Sequence, residues 1–166
     1  MPFRVPSPRQ LLPVALTAAA ALTWALLPAP ARSEVLYTLE TQCSFKEGAA
    51  QVCTVEATEQ DGATLYRHTI GDRVVLIRIE AEPSRMSLWN PSNNLWTYLT
   101  SAGALLSSNT VCFNGMDLCV VNPNYLNSLV EEKPALYEGR DLVRVRFGID
   151  GRVDLSCFDN ACAEVN

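Results

Sequence analysis

The sequence predicts an all-β fold: an antiparallel sandwich or barrel of about nine or ten short strands with one short helix, stapled by local disulfides. Three observations predict it. Apolar and polar residues alternate with a period of two through most of the chain, the pattern of strands that bury one face. Turn residues such as Gly71-Asp72, Asn114-Gly115 and Asp150-Gly151 punctuate these runs at near-regular spacing, as in sandwiches and barrels. Six cysteines fall into three close pairs, Cys43/Cys53, Cys112/Cys119 and Cys157/Cys162, and each pair straddles a turn.

The 166-residue chain opens on a leader. Arg4 and Arg9 are the only charges before Arg32, and they precede an apolar run over residues 11–27 that Pro13 interrupts. Ala29 and Ala31 place small residues at both cleavage-site positions, so residues 1–31 read as a secretory signal peptide. The alternative is a retained anchor, but a membrane-spanning helix wants about 20 mainly apolar residues, more than this run provides. Residues 32–166 then form a single disulfide-stapled β domain, long enough for its own core. The expected location is periplasmic or secreted.

The first alternating run carries Tyr37, Leu39 and Cys43 on one side, with Glu40 and Gln42 opposite. A loop near Glu47-Gly48-Ala49 leads to a second, with Cys53, Val55 and Ala57 sharing a face. Runs 63–70 and 73–80 flank Gly71-Asp72 as a hairpin. Within the latter, residues 74–79 are apolar on both faces and suggest a central strand. Runs 86–89 and 95–100 flank Asn90-Pro91-Ser92-Asn93-Asn94, and a four-residue loop would oppose Trp89 and Trp96. Residues 101–108 read as loop or one helical turn.

Opposing Cys112 and Cys119 centres their turn on Gly115-Met116. Asn122-Pro123 starts the helix, with Asn as N-cap and Pro at the first position, and Pro134 ends it. Val143, Val145, Phe147 and Ile149 face one way in a strand that turns at Asp150-Gly151. Val153, Leu155 and Cys157 alternate in the next, and Asp159-Asn160 would set Cys157 against Cys162. The cysteines of these strands fall on apolar sides, as buried staples do.

Composition excludes several functions. Two of the 13 basic residues would leave with the leader while all 18 acidic residues stay, so the exported chain has a net charge of −7. Nucleic-acid binding needs basic residues to neutralise phosphates, and Lys46 and Lys133 are the only lysines here. No partner of that kind, and no membrane span after cleavage, is expected. Cysteine spacings lack the close pairs of structural zinc sites, and His68 is the only histidine, so neither metal nor cofactor is expected. Sequons are absent, since Pro91 disqualifies Asn90-Pro91-Ser92.

Three candidate sites remain. Trp89 and Trp96 with Asn90, Asn93 and Asn94 offer aromatic faces beside amides, as sugar-binding ridges do; the structural reading is a cross-strand aromatic pair. His68 would be the base of a hydrolase, but no G-x-S-x-G elbow accompanies it, and an ordinary strand residue fits better. Glu56, Glu59 and Asp61, or Glu131 and Glu132, are carboxylate groups of the type that hydrolyses glycosides; nothing raises them above a solvated rim, which fits better. Asn122, Asn124 and Asn127 are accounted for by the helix cap.

Leu88-Trp89-Asn90-Pro91, Val111-Cys112-Phe113-Asn114-Gly115 and the stretch from Cys119 through Asn122-Pro123-Asn124-Tyr125 to Asn127 resemble segments of uncharacterised secreted proteins of cyanobacteria. The resemblance covers about the middle third of the chain and implies no activity, cofactor or catalytic residue. The sequence alone therefore supports an exported, non-catalytic β domain that acts as a binding or envelope-associated protein of unknown partner. The alternatives are a small-ligand or carbohydrate binder at the Trp/Asn hairpin and a small secreted hydrolase.

Overall fold

Alternation carries further along the chain than the sequence suggested, and twelve strands form where nine or ten were expected. The computed structural model describes residues 33–165. The signal-peptide reading falls outside them. The strands are β1 (Glu34–Phe45), β2 (Gln51–Gln60), β3 (Ala63–Ile70), β4 (Arg73–Glu80), β5 (Arg85–Asn90), β6 (Leu95–Tyr98), β7 (Ser101–Leu105), β8 (Thr110–Phe113), β9 (Leu118–Val121), β10 (Leu142–Phe147), β11 (Val153–Phe158) and β12 (Ala161–Glu164). Two helices, α1 (Pro123–Glu132) and α2 (Pro134–Tyr137), lie between β9 and β10.

The strands form one antiparallel sheet in the order β12-β11-β10-β7-β8-β9-β1-β2-β3-β4-β5-β6, curled into a half-barrel. This replaces the sandwich or barrel expectation. Three meanders build it, β1 to β6, β7 to β9 and β10 to β12. Two long-range pairings, β1 with β9 and β7 with β10, join them. Strand twist and local breaks supply the curl. The sharpest break is at Leu99-Thr100. Leu99 donates its N–H to the Met86 carbonyl, whereas the Thr100 carbonyl accepts from Phe147. The chain thus changes partner from β5 to β10 within one residue. A bridge between Arg85 and Arg152 ties the same two regions together.

The concave face holds the core. Val55, Ala57, Ile77, Leu99, Leu118 and Val120 are all at most 2 % exposed, and α1 lays Tyr125 and Leu126 against them. The start of α1 is as expected. Asn122 Oδ1 accepts from the Tyr125 N–H at 3.1 Å, and Pro123 occupies the first turn. Asn122 is itself buried, and its Nδ2 donates to Tyr37 Oη at 3.1 Å, which fastens the helix to β1.

Several expectations are corrected. Pro134 ends α1 but also begins α2, because proline is as well suited to a first helical turn there as at Pro123. Residues 101–105 form β7 rather than a loop. Ser-Ala-Gly-Ala-Leu has little intrinsic strand preference, and pairing with both β8 and β10 overrides it. Residues 74–79 are not buried on both faces. β4 is internal to the sheet, but the sheet is a single layer, so Val74 on its convex face is 46 % exposed. Ile149 does not extend β10. It lies in the five-residue loop closed by the Gly148 N–H to Arg152 carbonyl bond, fully exposed.

The three disulfides join the expected pairs. Cys43 pairs with Gln51 and Cys53 with Thr41, so this bridge runs diagonally between β1 and β2, inside the core. Cys112 opposes Cys119 across a loop centred on Gly115-Met116, and Cys157 opposes Cys162. The last bridge meets the buried-staple expectation only in part: Cys157 is buried, but outside the core cluster. A register shift between Arg146 and Phe147 puts Cys157 opposite Arg144 rather than on the face of Val143 and Val145. Cross-strand partners share a face, so this bridge sits on the convex side, and Cys162 is exposed.

Candidate ligand-binding site

The curl leaves space on the concave side. A cavity of about 320 Å³ lies between β3–β5 on one wall and β7, β8, β10 and β11 on the other, with α1 and α2 along its border. Its origin is local. At the centre of β7 the chain presents the small side chains of Ala102 and Ala104, beside Val145 and Val143 of β10 on the same wall and with Met86 of β5 on the other. Interiors normally pack without voids, and here the small side chains do not reach across.

Polar groups border this apolar space. Tyr66 comes from β3, Tyr125, Ser128 and Glu132 from α1, and Tyr137 from α2. The rings of Tyr66 and Tyr125 meet edge to face at 5.6 Å, and Tyr37 adds a further edge contact to Tyr66. Burial pushes the phenols of Tyr66, Tyr125 and Tyr137 above their ordinary range, and the Glu132 charge adds to the rise in each. These hydroxyls therefore stay protonated at neutral pH, able to donate and to accept.

The Trp89/Trp96 hairpin faces the other way. Side chains alternate along a strand, and Met86 lines the cavity, so Trp89 projects from the opposite, convex face. The expected register is present: Trp89 pairs with Trp96 around the loop 91–94, and the rings meet edge to face at 5.3 Å. The asparagines shape that loop. Asn90 Oδ1 accepts from Ser92 N–H, Asn93 Oδ1 accepts from Leu95 N–H, and Asn94 adopts a positive φ of 54°. On the same convex face Tyr98 packs over Gly151. A Cβ there would run into the tyrosine ring, and φ is +77°, so glycine is required twice over.

The Trp pair should register in a double-mutant cycle. Trp89→Ala, Trp96→Ala and the double variant, unfolded in urea, should give a coupling energy of about 0.5–1.5 kcal/mol. Coupling near zero would mean that the ring contact contributes nothing to the hairpin.

His68 is buried in the core, stacked beside Tyr66 and edge-on to Phe113. Its Nδ1 lies 3.4 Å from the Val75 carbonyl. Burial lowers its pKa to about 4, so the ring is neutral at pH 7. Its hydrogen bond among the described residues is to that backbone carbonyl, and it sits as a packed core residue. Of the carboxylates, Glu56 faces Arg67 across β2 and β3, and Asp61 forms the tight turn after β2 with a φ of 52°. No group of three or more His, Cys, Asp or Glu side chains among the described residues is placed to hold a metal ion.

No family model, curated protein or solved structure matches this chain.

The cavity must be read from its own chemistry. The sequence did not single out Tyr66, Tyr125, Tyr137 or Ala104, because they come together only through the curl. One signal was available, the run of small residues at 102–104. Space of this size, mostly apolar with a few convergent polar groups, is what small-molecule sites offer, often in the mouths of β-barrels.

Proposed function

We propose that this is an exported, non-catalytic binding protein that takes a small, largely apolar ligand into the hollow of its half-barrel. The observation that carries the reading is the apolar cavity of about 320 Å³ with its tyrosine-lined border. The compartment is supported independently, since three disulfides fit an oxidising, exported environment. No helix among the described residues is long and apolar enough to cross a membrane. This reading moves the ligand from the Trp/Asn hairpin to the opposite face of the same hairpin, because the asparagine side chains there are engaged in holding the turn.

The test is an NMR titration of the oxidised protein with 1-octanol. Amide resonances of Met86, Ala104, Val145 and Phe147, and methyl resonances of the first three, should shift in a saturable way, while the amides of residues 90–94 stay in place. Ala104→Phe, which fills the hollow from β7, should keep the wild-type circular dichroism and abolish the shifts. Shifts confined to the hairpin tip, or unaltered in Ala104→Phe, would refute the cavity as the site.

A further inference from the structure

We propose that the segment over residues 133–140, which carries α2, is a hinged lid through which the ligand enters and leaves the cavity; this rests on the ligand-binding reading above. The helices span the open side of the half-barrel. Tyr125 of α1 meets Tyr66 of β3 edge to face at 5.6 Å, and Tyr137 of α2 meets Phe158 of β11 in the same way at 6.2 Å. β3 and β11 stand far apart in the strand order, so the chain between these two contacts crosses from one wall to the other. Phe158 pairs with Val143, which lines the cavity, and cross-strand partners share a face, so its ring lies on the concave side where α2 meets it. Lys133 and Tyr137 line the cavity from this crossing.

Both flanks of the segment are fixed. On one side α1 is fastened to β1 by the Asn122–Tyr37 bond and to the core by buried Leu126. On the other, Asp141 accepts from the Ser107 N–H and hydroxyl at 2.7 and 3.1 Å, and its own N–H donates to Asp159. Between them the N–H groups of Leu136, Glu138 and Arg140 donate to the carbonyls of Lys133, Pro134 and Tyr137, all within the segment. α2 buries none of its residues. Backbone bonds satisfied locally and little buried side-chain surface are the marks of a unit that opens on its own. Hinges of this kind sit at the ends of elements. Here they are Lys133, between the helices at φ −136° and ψ 60°, and Gly139, at φ +68°. Phe158 is the latch: Tyr137 packs on its ring, and the Arg140 guanidinium lies 4.5 Å from its centroid.

Phe158 and Arg140 lie outside the cavity lining, so changing them tests the lid without altering the site. The on and off rates of 1-octanol are measured from NMR line shapes in wild type, Phe158→Ala and Arg140→Ala, each checked by circular dichroism. Losing the latch favours the open lid in the free and the bound protein alike. Both rates should therefore rise together, roughly tenfold in Phe158→Ala and roughly threefold in Arg140→Ala, with Kd within about twofold of wild type. Hydrogen exchange of the free protein should quicken in the same order at the amides of Leu136 and Glu138, while that of Leu126 stays as in wild type. If Phe158→Ala does not fold, the exposed position Arg140 carries the test alone. A weaker Kd with an unaltered on rate is what a distorted cavity gives, and would overturn the lid. So would octanol that binds but enters and leaves all three proteins equally fast; the cavity would then stand without it. If octanol shifts no cavity resonance of wild type, the ligand-binding reading itself falls, and the lid with it.

Discussion

Between pH 7 and pH 4 the protein should lose about 3 kcal/mol of stability through His68 alone, as its pKa falls from the ordinary 6.5 to about 4 in the folded state. Burial against Tyr66 and Phe113 removes the ring from water and disfavours its charged form. The unfolded chain takes up the proton near pH 6.5, and the folded chain resists until about pH 4. Across that window the unfolded state binds more protons, so stability falls as the pH falls, and it levels off once the folded ring also protonates. Asp159 acts in a different range. The N–H groups of Leu142 and Asp141 hold its carboxyl below the ordinary 3.8, so its contribution is present above that pH and is lost only below it. Urea unfolding of wild type and His68→Leu at pH 7, 5.5 and 4 separates the two. The wild type should show the steep loss, and the variant a much shallower one. Parallel curves would show that His68 is not held neutral by the fold.

Removing the Cys43–Cys53 bridge should cost about 3–5 kcal/mol, against about 2 kcal/mol for Cys157–Cys162. Loop length does not make the difference. In the chain-entropy account, loops this short differ by well under 1 kcal/mol. Burial does. Cys43 and Cys53 are 1 % and 2 % exposed in the core beside Val55 and Val120, so alanines there leave a void as well as a freer unfolded chain. Cys157 is buried but outside the core cluster, and Cys162 lies exposed on the edge strand β12, so losing this bridge leaves a smaller void and frees only the last hairpin. Urea midpoints of the two double-alanine proteins, with the remaining bridges kept oxidised, decide it. Equal losses would mean that the core position of Cys43–Cys53 adds nothing.

The local elements were legible because their causes are local. Asp159-Asn160 sets Cys157 against Cys162 within six residues, and Asn122-Pro123 starts α1 with groups at adjacent positions. The loop 91–94 likewise forces Trp89 against Trp96. Turn chemistry and side-chain alternation act over a few bonds, so hairpins, their disulfides and the helix cap could be read without coordinates. Ser101–Leu105 could not, because its strand state comes from β8 and β10 on either side rather than from its own small residues. Nor could the face of Cys157, which one irregularity beside Phe147 reverses. The cavity belongs to the same class. Tyr66, Met86, Ala104, Glu132 and Val145 border one space only because the chain changes partners at Leu99-Thr100 and the sheet bends over α1. Alternation tells each strand which side to bury, but not which distant strand will share that side. That choice is made by the summed packing of the curled sheet, to which no short stretch of chain holds the key.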